Sequence, residues 1–281
     1  MGGFAPCPPE AVAAAEALCG PVSLTGITER RGTAVWKAEG SLSRAAVKVG
    51  YGTEGAESTA REAATLDALP EYTVVTGGSG AGVWYVTPWL DGPSTWGLFG
   101  PVREGSEDRT FPLAGAVGLC RAVADLHAAG WVHGDLQPAH GIHTAAGVRL
   151  IDFAWSWREG TDPWREFRGG ITHLIAPELA ARIATGQQPV KPAPAADVYA
   201  LAGVLWTCTT GRWPLDYEAV GITVKGTSPA ELRKAISAGI PLTEARPWPR
   251  FQHVLAAVLT AQAADRPTAG ELADRLAEVA S

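Results

Sequence analysis

The stretch "WVHGDLQPAHGIHTAAGVRLIDFAW", residues 131–155, decides how the rest of the chain is read. Asp135 follows directly on a helix-like segment, and Asp152 directly on the strand-like "VRLI". The spacing suits a hairpin that carries both acids into one cleft. Two carboxylates so placed fit phosphoryl transfer, in which one acid orients the attacking hydroxyl and the other holds a metal ion against the nucleotide phosphates.

Upstream, "VSLTGITERRGTAVWKAEGSLSRAAVKVG" (22–50) alternates apolar and polar residues between glycines, the pattern of three short antiparallel strands, the last carrying Lys48. In "ESTAREAATLDAL" (57–69) apolar residues recur at a helical period behind Ser58 and Thr59 as start signals, and Glu62 lies on that helix. "YTVVTG" and "GVWYVTPWLDG", joined by "GGSGAG", read as two further strands. An alanine-rich helix from Glu10 to about Cys19 precedes them. The expected division is an N-terminal helical extension over 1–21, a sheet domain over 22–92 and a helical domain over 93–281. Within the last, "PVREGSEDRT" (101–110) reads as a solvated insertion, and "SPAE" and "TAGE" are capping boxes built on Ser228 with Glu231 and on Thr268 with Glu271.

The 281 residues can bury a substantial core, and 46% apolar with 19% charged residues is a globular composition. A net charge of −6 argues against a nucleic acid partner. No run reaches membrane-spanning length and the first twenty residues lack a signal-peptide pattern, so neither a membrane partner nor export is expected and the location reads as cytoplasmic. Cys7, Cys19, Cys120 and Cys208 have no paired spacing and read as free thiols.

In their order these segments resemble the protein-kinase superfamily, especially the bacterial group of eukaryotic-type Ser/Thr kinases, over roughly residues 22–280. "AAVKVG" resembles the strand with the phosphate lysine, Lys48, and "REAATLDAL" the helix whose Glu62 positions it. "VWYVTPWLDG" resembles the hinge, with Thr87 as gatekeeper and the backbones of Pro88 and Leu90 opposite adenine. "HGDLQPAH" resembles the catalytic loop, which makes Asp135 the acid that orients the hydroxyl, and "DFA" the metal-binding triplet, which makes Asp152 a metal ligand. "IAPELA", "ADVYALAGVLWTCTTGRWP" and "ADRPTAGEL" resemble the later landmarks, so that Glu178 would pair with Arg266 and Asp197 would anchor the catalytic-loop backbone. The resemblance implies an α+β, bilobal protein-kinase-like fold: a small antiparallel sheet lobe with one helix, and a larger, mainly helical lobe. It also implies ATP with Mg²⁺ or Mn²⁺, and a protein or peptide substrate phosphorylated on Ser or Thr.

Four departures qualify that reading. Thr28, Arg30 and Thr33 stand at the three glycine positions of the phosphate loop. Gly134 replaces an arginine that binds a phosphorylated loop, and Gln137 replaces the lysine that meets the γ-phosphate. His140 replaces a metal-binding asparagine, and imidazole suits Mn²⁺ or Zn²⁺ better than Mg²⁺. These departures keep a pseudokinase scaffold open as an alternative, while "HGD" on its own also fits a small-molecule phosphotransferase. The spacing of His140 and His143 suggests a metal pair, although such pairs are commonly incidental. Trp155, Trp157 and Trp164 fit packing of the segment onto the helical lobe better than an exposed docking surface.

Overall fold

A computed structural model describes residues 5–80, 82–244 and 246–280. The fold is α+β and divides into two compact units: residues through Leu90 together with Phe153–Trp155, and the remainder from Asp91.

In the first unit α1 (Pro9–Cys19) is followed by β1 (Val22–Arg30), β2 (Thr33–Gly40), β3 (Arg44–Gly50), α2 (Gly52–Asp67), β4 (Val75–Ser79) and β5 (Gly82–Pro88). The strands form one antiparallel sheet in the order β1-β2-β3-β5-β4. These are the five strands that the alternation predicts, accompanied by two helices, since α1 packs into the core of the sheet as well as α2 lying on it. Strand pleat decides the two faces. Ala34, Trp36, Ala38, Ala45, Val47, Val49 and Val86 are buried in a common core with Ala11, Ala15 and Cys19 of α1. Val35, Ala46, Lys48 and Thr87 alternate with them and are half-buried. Small residues in both α1 and the strands let helix and sheet approach closely.

Helix α2 starts at Gly52, several residues before Ser58 and Thr59, and Tyr51 gives no side-chain cap. The reason lies in packing: a Cβ on Gly50 would stand 2.0 Å from the Gly55 carbonyl, so the first turn is laid directly on the end of β3. Thr59, Glu62, Ala63 and Leu66 form the buried stripe of α2, which turns the Glu62 carboxylate inward.

The second unit carries α3 (Thr95–Leu98), α4 (Gly100–Arg103), α5 (Thr110–Ala128), β6 (Trp131–Val132), β7 (Gly141–Thr144), β8 (Gly147–Leu150), β9 (Trp157–Arg158), α6 (Pro177–Ala184), α7 (Pro194–Thr210), α8 (Pro229–Ala238), α9 (Pro249–Thr260) and α10 (Ala269–Ala277). Helix α7 is apolar nearly all round and buried from Ala196 to Thr209, apart from Ala200, as a central helix requires. Helix α5 packs on α10, α7 on α9 and α6 on α8. Both capping boxes are formed, at Ser228 with Glu231 and at Thr268 with Glu271. The supposed insertion at 101–110 is corrected in its first part: Val102 is buried and Arg103 bonds the carbonyls of Cys208 and Trp96 at 2.6 and 2.8 Å, so tertiary contacts fold this stretch into α4. The four cysteines are unpaired. None of the described helices is long and apolar enough to cross a membrane.

Candidate active site

In the first unit Lys48 Nζ lies 2.5 Å from Glu62 Oε2, with side chains 12% and 2% exposed. The other Glu62 oxygen accepts the backbone N–H of Phe153 at 3.1 Å. Phe153 is fully buried, edge-on to Tyr72 with ring centroids 5.6 Å apart. One carboxylate therefore ties the β3 lysine to the residue that follows Asp152 in the chain. In the register of β3 with β5, Ala46 faces Thr87 and Lys48 faces Tyr85, so Ala46, Lys48 and Thr87 share the face opposite α1. The Thr87 hydroxyl donates to the Thr73 carbonyl at 2.8 Å. Pro88 ends β5 opposite Ala45, and Leu90 is the last residue before the division between the units.

At the glycine-poor loop, Arg31 (φ 52) and Gly32 (φ 73) make the two-residue turn between β1 and β2. Its tip is pinned, because Gly32 O accepts Tyr51 N at 2.7 Å and a Cβ on Gly55 would meet that same carbonyl at 2.1 Å. The stretch that the resemblance would make a phosphate loop is a tight hairpin seated on the start of α2.

In the second unit the β7–β8 hairpin does what the spacing of the two aspartates predicts. The pairing Gly141↔Leu150 continues through Ile151 N to His140 O at 3.0 Å, so Ile151 lies opposite His140 and Asp152 follows one residue on. Asp152 then adopts φ 66, a left-handed conformation that costs a non-glycine residue on the order of 1 kcal/mol and concentrates at functional sites. His140 Nε2 stands 3.5 Å from Asp152 Oδ2, and Nδ1 donates to the Asp135 carbonyl at 2.8 Å. Asp135, His140 and Asp152 each offer a ligand atom within 4.8 Å of the others. A cation with bonds of about 2.1–2.3 Å sets neighbouring ligand atoms roughly 3–4 Å apart, so these three would hold a divalent ion once drawn together. His143 lies outside this cluster: its Nε2 meets the buried Thr95 hydroxyl at 2.9 Å.

Asp197, near the start of α7, braces the loop. Its Oδ2 accepts His133 N at 2.7 Å and His127 Nε2 at 3.1 Å, and its Oδ1 accepts Gly134 N at 2.9 Å. His133 is fully buried, receives Asp135 N on Nδ1 and donates Nε2–H to Ile151 O, which makes it a neutral strut. Burial pushes its pKa down to about 4. Glu178 and Arg266 pair through two bonds of 2.6 and 2.8 Å, and Arg266 also meets Ala195 O and lies over the Tyr199 ring.

Two contacts at Asp135 escaped the sequence reading. Gln137 Nε2 donates to Asp135 Oδ1 at 2.8 Å, an uncharged donor where the resemblance expects a lysine. Gly170 (φ 52) passes so close that a Cβ there would lie 2.0 Å from Asp135 Oδ1. The "GG" dipeptide is the signal that could have pointed to such an approach. Trp157 and Trp164 are buried, the former donating Nε1–H to Pro192 O at 2.9 Å, while Trp155 is half-buried.

No family model matches the chain. The probable serine/threonine-protein kinase PkwA of Thermomonospora curvata is 30% identical over 146 residues, 49% of this chain and 18% of that protein. The proto-oncogene serine/threonine-protein kinase mos of Sus scrofa is 32% identical over 148 residues, 51% of this chain and 40% of that protein. The matched stretch thus spans less than half the length of either relative. Together with the α+β architecture, these matches over about half of the chain support a relationship to the protein-kinase superfamily.

Proposed function

We propose that the protein transfers the γ-phosphoryl group of ATP to a Ser or Thr hydroxyl of a protein or peptide. The observation that carries this reading is the meeting of Asp135 and Asp152 beside one hairpin, with His140 between them. Asp135 orients the acceptor hydroxyl and receives its proton, held in place by Gln137 on one oxygen. Lys48, oriented by Glu62, holds the α- and β-phosphates. Thr87, Pro88 and Leu90 are the adenine-side residues of this reading. Asp152 and His140 would hold Mg²⁺ or Mn²⁺, which when bound neutralises phosphate charge. Gln137 supplies no positive charge near the transferred group, so slow chemistry is expected.

A second reading, a scaffold that binds nucleotide weakly, draws support from the β1–β2 turn that is pinned to α2. Incubation with labelled ATP, Mg²⁺ or Mn²⁺ and mixed Ser/Thr peptides separates the two. Label transfer is expected in the wild type and lost in Asp135→Asn and Lys48→Met, with ATP still raising the melting temperature of Asp135→Asn. Neither transfer nor stabilisation by ATP in the wild type would favour the scaffold.

A further inference from the structure

Helix α8 carries a cation to the segment that runs over Asp135. Its buried face is Leu232 and Ile236, and it packs on α6 and on the turn Thr172–Leu174. Arg233 stands beside Leu232 and three residues before Ile236, so its stem lies along the edge of that face. Its Nε is shut away from solvent with no hydrogen-bond partner among the described residues, while the residue as a whole is half-buried. A guanidinium so placed calls for an anion. What meets it instead is a second guanidinium. Burial first, and then the charge of Arg168, hold the Arg233 pKa below its ordinary value, and among the described residues no carboxylate offsets them.

The backbone brings Arg168 to this place. Gly169 is wedged against α6, since a Cβ there would stand 2.5 Å from Ile175 Cδ1 and 3.1 Å from Ile183 Cδ1. The Arg168 guanidinium pairs with Glu166 at 2.5 Å, but the two side chains are 70% and 58% exposed, so water competes for that bond and a stronger anion displaces it. Gly170 follows, lying over Asp135. Arg168 is therefore two residues, a span of at most about 7 Å, from the backbone that touches this carboxylate.

We propose that Arg168 and Arg233 form an anion subsite for the acceptor peptide and take a phosphorylated side chain within about four residues of the hydroxyl to be modified, an extended peptide advancing about 3.3 Å per residue. A phosphate monoester carries close to two charges and three acceptor oxygens, which satisfies both guanidiniums. A single Asp or Glu carboxylate answers one of them and leaves the other unpaired. On the phosphotransferase reading above, the reaction that supplies the substrate is then a prior phosphorylation of the same peptide.

The test uses the full chain and pools of peptides centred on Ser or Thr, each pool carrying phosphoserine, glutamate or alanine at one fixed position up to four residues before or after the centre. In equilibrium binding, phosphoserine at one or two of these positions is expected to tighten binding about tenfold or more over alanine, with glutamate between them. Arg233→Gln and Arg168→Gln are each expected to remove that preference, and Lys234→Gln, at an exposed neighbour on α8, to keep it. Should Arg233→Gln fail to fold, the exposed Arg168 carries the test. Inorganic phosphate, another source of the same chemistry, is expected to compete only at far higher concentration than the peptides. No position at which phosphoserine tightens binding, a preference unchanged in Arg168→Gln, or competition by inorganic phosphate at peptide concentrations would each overturn the proposal. Label transfer is read separately: binding of phosphoserine pools without transfer overturns only the phosphotransferase reading, and transfer with equal use of phosphoserine and alanine pools overturns only the subsite.

Discussion

Asp197 accepts the N–H groups of His133 and Gly134, the two residues that lead into Asp135, and the ring of His127. A buried amide left without an acceptor costs about 1–3 kcal/mol, so Asp197→Ala should lose roughly 3 kcal/mol or more in urea unfolding, with activity falling further than Asp197→Asn. Gly170→Ala forces its methyl group into Asp135 at a positive φ, and should abolish label transfer while moving the melting temperature by only a few degrees. His143 gives a pH dependence. Burial lowers its folded pKa to about 4 from an unfolded value near 6.5, so between these values the unfolded chain binds the extra proton. Its contribution is complete above pH 6.5 and is lost as pH falls toward 4, and the corresponding slope should flatten in His143→Asn.

At the scale of elements, Glu178 at the start of α6 and Arg266 before α10 are joined by a bidentate pair, with Arg266 2% and Glu178 38% exposed. Breaking such a pair from one side is costliest where the charge left behind is buried, about 3 kcal/mol for Glu178→Ala, which strands the Arg266 guanidinium, and less for Arg266→Ala, which leaves a carboxylate open to water, with the double variant costing less than the sum of the two. Chemical denaturation of the three variants measures this coupling. The capping boxes were legible because their chemistry is local to four residues. The start of α2 was not, because it depends on the contact between Gly50 and Gly55, which propensity does not register. The folding of 100–103 into α4 likewise depends on Arg103 reaching the distant Cys208 carbonyl.

Across the whole molecule, the five strands of the sheet and the two acidic residues at one hairpin could be read from alternation and motif order, while the order of the strands, with β5 between β3 and β4, comes from the structure. The residues that tune the site could not. Gln137 on Asp135, Gly170 over Asp135 and the bond of His140 to the Asp135 carbonyl are consequences of three-dimensional approach, and each bears on the chemistry more than on the fold. The same holds for α1, whose helical pattern is plain while its place against the α1 face of β2 and β3 rests on matched small residues. Equilibrium binding of ATP, with Mg²⁺ or Mn²⁺, tests the central claim most directly. The wild type should bind saturably, and Lys48→Met and Asp152→Asn should each weaken binding by about tenfold or more through the loss of one charged contact. Absence of saturable binding, or an affinity that neither substitution changes, would contradict it.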